Sequence, residues 1–123
     1  MANELTLSAS IKFTKGTGDA LMNVSKSYSD LVDVAGTEYY ENIQSVGTSS
    51  EALLVSDIGT QGFVLLRNLD TTNFVNVSTD NSAHANPCVK MKAGEIALFR
   101  ANSALYLKAD TAACRVAFLV VED

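Results

Sequence analysis

The sequence predicts an all-β fold: an antiparallel β-sandwich, jelly-roll-like, of 8–10 short strands. Three observations carry this. Residues 4–15 alternate apolar and polar over five consecutive steps, as a half-buried strand must when successive Cβ atoms point to opposite faces. Turn-forming residues then recur about every 8–12 positions. No stretch holds a helical period for more than about two turns. A chain of 123 residues is one domain by size, and no repeat, linker or low-complexity segment divides it, so a single sandwich over 1–123 is expected.

The first strand sets Leu5, Leu7, Ala9, Ile11 and Phe13 against Thr6, Ser8, Ser10, Lys12 and Thr14. Gly16-Thr17-Gly18-Asp19 makes a turn, because Gly and Asp tolerate left-handed backbone. A second run faces Met22, Val24 and Tyr28 inward and Ser25, Ser27 and Ser29 outward, with Lys26 interrupting the inward set. Residues 29–36 read as a loop or short strand, and residues 38–46 as a third strand. Thr48-Ser49-Ser50-Glu51 has the form of a capping box, but Gly59 follows too soon for an ordinary helix. One helical turn or a further strand is expected there. Strands then follow at 63–68, 74–78, 89–92, 95–100, 105–109 and 114–121, with a long polar loop over 79–87.

Three of these strands are apolar on both faces: Phe63-Val64-Leu65-Leu66, Ile96-Ala97-Leu98-Phe99 and Val116-Ala117-Phe118-Leu119-Val120-Val121. A sandwich strand needs only one apolar face, and side by side three such strands make a patch larger than a monomer ordinarily exposes. A homo-oligomer burying the second face is expected; a curled sheet or a covering loop is the alternative. The candidate contact residues are Phe63, Leu65, Phe99, Phe118 and Val120, or their opposite-face neighbours, since the face is unknown until the register is known. Arg67, Arg100 and Arg115 read as strand-end charges that reach solvent over apolar stems.

The chain carries little catalytic equipment. His84 is the only histidine, alone in a polar loop, so neither a histidine metal set nor a Ser-His-Asp triad with its Gly-x-Ser-x-Gly elbow is expected. Lys92-Ala93-Gly94-Glu95 invites comparison with the Gly and Glu of a cupin metal site, but reads better as a tight turn with Gly94 at positive φ. Asp70, Asn73, Asp80 and Asn81 lack the EF-hand pattern and read as turn formers. No phosphate-binding glycine loop is present. A net charge of −5, with six lysines and three arginines scattered, argues against nucleic acid as a partner. Cys88 and Cys114 fit no metal spacing and are expected as buried free thiols, a disulfide being the alternative. The opening residues carry an acid where a secretory leader needs basic charge, and no apolar run is long enough to span a bilayer, so neither targeting segment nor membrane partner is expected. The chain is read as no enzyme, with no catalytic, cofactor or metal site.

The stretch from Gly62-Phe63-Val64-Leu65-Leu66-Arg67-Asn68-Leu69-Asp70 through Lys90-Met91-Lys92-Ala93-Gly94-Glu95 to the final apolar strand ending in acids resembles small virion proteins of tailed bacteriophages. The resemblance implies a non-enzymatic structural protein located in the virion. In the capsid decoration (cement) type such proteins commonly form trimers that bridge major capsid subunits. A tail or head–tail connector component is the rival within that resemblance. A carbohydrate- or receptor-binding sandwich, using Tyr28, Tyr39, Tyr40 and Tyr106 as platforms, is the reading outside it, and the absence of Trp weakens that reading.

Overall fold

The computed structural model describes residues 4–80 and 86–123. The polar segment 81–85, and with it His84 and Asn81, lies outside the described residues. The described residues form ten strands: β1 (Leu5–Lys15), β2 (Met22–Val32), β3 (Tyr39–Val46), β4 (Glu51–Ala52), β5 (Gln61–Asn68), β6 (Val75–Ser78), β7 (Val89–Met91), β8 (Ile96–Arg100), β9 (Tyr106–Ala109) and β10 (Cys114–Glu122). The chain divides into two compact units at Ala35/Gly36.

The first unit is a two-stranded hairpin in which β1 and β2 pair antiparallel from Leu5↔Val32 to Lys15↔Met22, closed by a 3₁₀ turn at Gly18–Ala20. Residues 29–32, expected as loop or short strand, continue β2. The alternation of β1 is present, but its apolar side is largely exposed: Ile11 is 70 % exposed and Tyr28 across the hairpin 73 %. Periodicity predicted the strand correctly; the expected burial is not provided by residues of this unit.

The second unit, Gly36–Asp123, is the sandwich. Its sheets have the orders β3-β10-β5-β8 and β4-β9-β6-β7, all pairs antiparallel. Numbered one to eight along the unit, the strands fall as 1-8-3-6 and 2-7-4-5. Two interlocking Greek keys of this kind make a jelly roll, as expected. The core lies between the sheets. Val64 and Leu66 of β5 and Val116, Phe118 and Val120 of β10 face Val75 and Val77 of β6, Met91 of β7 and Leu107 of β9 in one buried cluster.

The edge strands β3 and β4 belong to different sheets and are joined by polar bonds. Gln44, only 8 % exposed, donates through Nε2 to the Glu51 carboxylate and to the Ala52 carbonyl, both at 3.0 Å, and its Oε1 accepts from Leu54 N–H at 2.8 Å. Glu51 also accepts from Gly47 N–H at 2.9 Å. The capping-box pattern is thus used in a turn leading into a strand, and no helix forms there.

Leu66→Ala empties a site with 0 % exposure between the sheets, so a loss of about 2–5 kcal/mol is expected by chemical denaturation. Leu65→Ala, one residue away on the outer side at 41 % exposure, is expected to cost under ~1 kcal/mol.

Candidate functional site

The three doubly apolar strands are neighbours, in the order β10-β5-β8, with β3 beyond β10. Register settles which residues share the outer face. Leu119 of β10 stands between Glu41 of β3 and Leu65 of β5, and Leu98 of β8 follows. The next row runs Ile43, Ala117, Arg67, Ile96. Tyr39 pairs with Val121 at one end, and Ser45 with Arg115 at the other. Ile96 is 66 %, Ile43 45 % and Leu98 37 % exposed. A shallow depression of about 690 Å³ lies over this face, lined by Ile43, Leu65, Ala117 and Leu119 with Glu41, Arg67 and Arg115 around them.

The candidate contact residues separate accordingly. Phe63 and Leu65 point outward. Phe118 and Val120 do not: at 3 % and 0 % exposure they are core. Phe99 is turned inward and packs against that core. In β10 the outward positions are the alternate ones, Ala117, Leu119 and Val121, because pairing on both sides holds 116, 118 and 120 toward the second sheet.

The second sheet follows the ordinary rule. Asn76 of β6 has Lys90 of β7 on one side and Lys108 of β9 on the other, giving an outer face that is polar and basic. Lys90 Nζ rests 4.1 Å from the Phe74 ring centroid. The apolar exterior therefore belongs to one sheet.

Two devices frame the apolar face. At one end Asn68 is fully buried and fully bonded: its Nδ2 donates to the carbonyls of Asn73 (2.9 Å) and Met91 (3.1 Å), and its Oδ1 accepts from Asp70 N–H (3.0 Å). Its backbone exchanges bonds with the corner before β8, Asn68 N–H to Glu95 O and Gly94 N–H to Asn68 O, both 3.0 Å. The Asn-Leu-Asp and Lys-Ala-Gly-Glu words therefore meet in space. The corner is the tight turn expected, with Glu95 N–H bonded to Lys92 O at 3.0 Å and Gly94 at φ 79°. Asp70 is a turn former too: it accepts from Asn73 N–H at 2.6 Å and Thr72 N–H at 3.0 Å, and these bonds hold its carboxyl below the ordinary range.

At the other end Glu122 accepts from Gly59 N–H at 2.8 Å and Thr37 N–H at 3.0 Å, tying the segments that lead into β5 and β3 to the end of β10. Gly62 is needed here for close approach, since an added Cβ would stand 2.9 Å from the Val121 carbonyl. Beside it Arg100 pairs with Asp123 at 3.1 Å and lies 4.5 Å from the Phe63 ring centroid.

Cys88 is exposed, against expectation, while Cys114 is buried; both are free thiols, and burial followed by Asp70 and Asp110 pushes the Cys114 thiol up. Among the described residues no group of three or more His, Cys, Asp or Glu is placed to hold a metal ion. No helix among them is long and apolar enough to cross a membrane.

Bonding to Gly59 and then Thr37 lowers the Glu122 pKa from its ordinary 4.5. A depressed native pKa contributes stability that is complete above the unfolded value and lost as pH falls through the native one. The stability difference between wild type and Glu122→Gln is therefore expected to be largest above pH 4.5 and to narrow steadily below it, measured by denaturation at a series of pH values. Set against protein-family models, curated proteins and solved structures, the chain matches none.

Proposed function

We propose that this is a non-enzymatic structural protein of a phage virion, a capsid decoration protein that assembles with itself through the outer face of the β3-β10-β5-β8 sheet. The observation that carries the assembly reading is the apolar exterior of one sheet, centred on Leu119, Leu65, Ala117 and Leu98, beside a polar exterior on the other. The virion setting rests on the sequence resemblance, whose Asn-Leu-Asp and Lys-Ala-Gly-Glu words form the corner at the end of this face.

A second copy of the chain is the occupant the face favours. Four strands about 4.8 Å apart and some seven residues long give roughly 450 Å² of flat footprint per copy, or about 900 Å² for a pair. Side-chain relief adds to this, bringing it to the ~1,000 Å² that separates stable interfaces from incidental ones. The face also carries both signs, with Glu41 toward one edge and Arg67 and Arg115 away from it, so a copy offers charges that complement its own. Binding only the assembled state would then stabilise a shell by mass action.

Light scattering on the full chain at micromolar concentration is expected to give a defined oligomer, a trimer if the decoration type holds. Leu119→Glu is expected to shift it to smaller species by an order of magnitude or more in dissociation constant while far-UV circular dichroism is unchanged. A monodisperse wild-type monomer overturns the proposal. A tagged chain recovered from phage-producing cells with a major capsid protein supports decoration; recovery with a tail or connector protein places it there instead.

A further inference from the structure

The first unit has a face that none of its own residues covers. Opposite residues of an antiparallel pair share a face, so Leu7, Ala9, Ile11 and Phe13 stand beside Asp30, Tyr28, Lys26 and Val24. The reverse face is Thr6, Ser8, Ser10, Lys12 and Thr14 against Leu31, three serines and Asn23. A two-stranded hairpin is marginal in water unless its apolar face is packed. Phe13, Met22 and Val24 are 44–51 % exposed, and Ile11 and Tyr28 at least 70 %.

Lys15, opposite Met22, lies at the turn end of this face, and the two charges in its middle select what covers it. Asp30 lies opposite Leu7 and Lys26 opposite Ile11, one on each side of the Ala9–Tyr28 rung. A two-fold axis through that rung, perpendicular to the strands, lays a second hairpin face to face and reversed. Asp30 then falls on Lys26 of the second copy, and Lys26 on its Asp30. Leu7 meets Ile11, and Leu5 and Val32 meet Phe13 and Val24. Moving the axis one rung either way sets Lys26 on Lys26 or Asp30 on Asp30; placing it between rungs leaves both charges against apolar groups or aromatic rings. Isologous contacts require this reciprocity, and one register supplies it.

We propose that the apolar face of the β1–β2 hairpin binds the same face of a second copy of this chain in that register. Strands of 11 residues give a face about 36 Å by 10 Å, roughly 360 Å² per copy, at the small end of specific contacts. A contact of this size belongs to weak, transient associations, and its residues are different from those of the outer sheet face proposed above.

Sedimentation equilibrium on full-length protein tests this with Lys26→Asp, Asp30→Lys, the double variant, and an equimolar mixture of the two singles. Each single change creates two like-charge contacts by symmetry and is expected to weaken self-association about tenfold or more. The double variant and the mixture are both expected to restore it. Lys26 and Asp30 are about 13 Å apart along one strand, so a contact within the chain does not produce such rescue. The rescued double variant also shows that neither change prevents folding. A wild-type monomer at about 100 µM, single variants that associate like wild type, or a double variant without rescue each overturns the proposal. Association lost in Leu119→Glu but insensitive to all hairpin charge changes removes the hairpin contact and leaves the sheet-face reading standing. The reverse result removes the sheet-face reading alone.

Discussion

Strand β10 is held on both sides, by β3 and by β5, and that double pairing decides the inside and outside of the whole sandwich. Side chains alternate along a strand, so one ladder sends Val116, Phe118 and Val120 into the core and Ala117, Leu119 and Val121 outward. A slip of one residue would exchange the two sets, and in this strand both are apolar. Hydrophobic pattern alone leaves β10 indifferent to its orientation. What breaks the tie is the framework at its ends: the Leu69 N–H to Arg115 O bond at 2.8 Å, and the Glu122 carboxylate that collects the segments before β3 and β5.

Asn68 performs the corresponding task for β5. A buried amide is costly unless its donors and acceptor are engaged, and here they reach Asn73, Met91 and Asp70 from one side chain. Those partners lie in the turn after β5 and at the end of β7, so a polar residue on the inner face links the two sheets where an apolar one would leave three backbone groups without it. The sandwich is thus apolar in the middle and fastened by hydrogen bonds at its ends. The outer face rides on that frame, which is why its residues are free to be apolar without being needed for the fold.

Much of the architecture was legible along the chain. Every expected strand is present, the doubly apolar segments are adjacent, and the Gly94 turn and the Asp70 turn have the chemistry their residue types dictate. The discrepancies share one cause: burial is a relation between segments. Phe118 and Phe99 look equivalent to Phe63 until cross-strand partners assign each a side. Cys88 sits at the edge of a short strand and is exposed, although its type is commonly buried. The hairpin shows the same limit, since period two reports the strand and not what lies against it.

The sequence by itself therefore determined the strands, the turns and the excess of apolar surface, because these follow from local sterics and from the period of two. The tertiary structure alone decided which half of that surface is core, that the excess gathers on one sheet, and that residues 4–35 stand as a separate unit. Contacts between segments up to 85 residues apart made those decisions, as where Thr37 N–H donates to the Glu122 carboxylate. Register between distant segments is a property of the folded ladder, and no single segment encodes it.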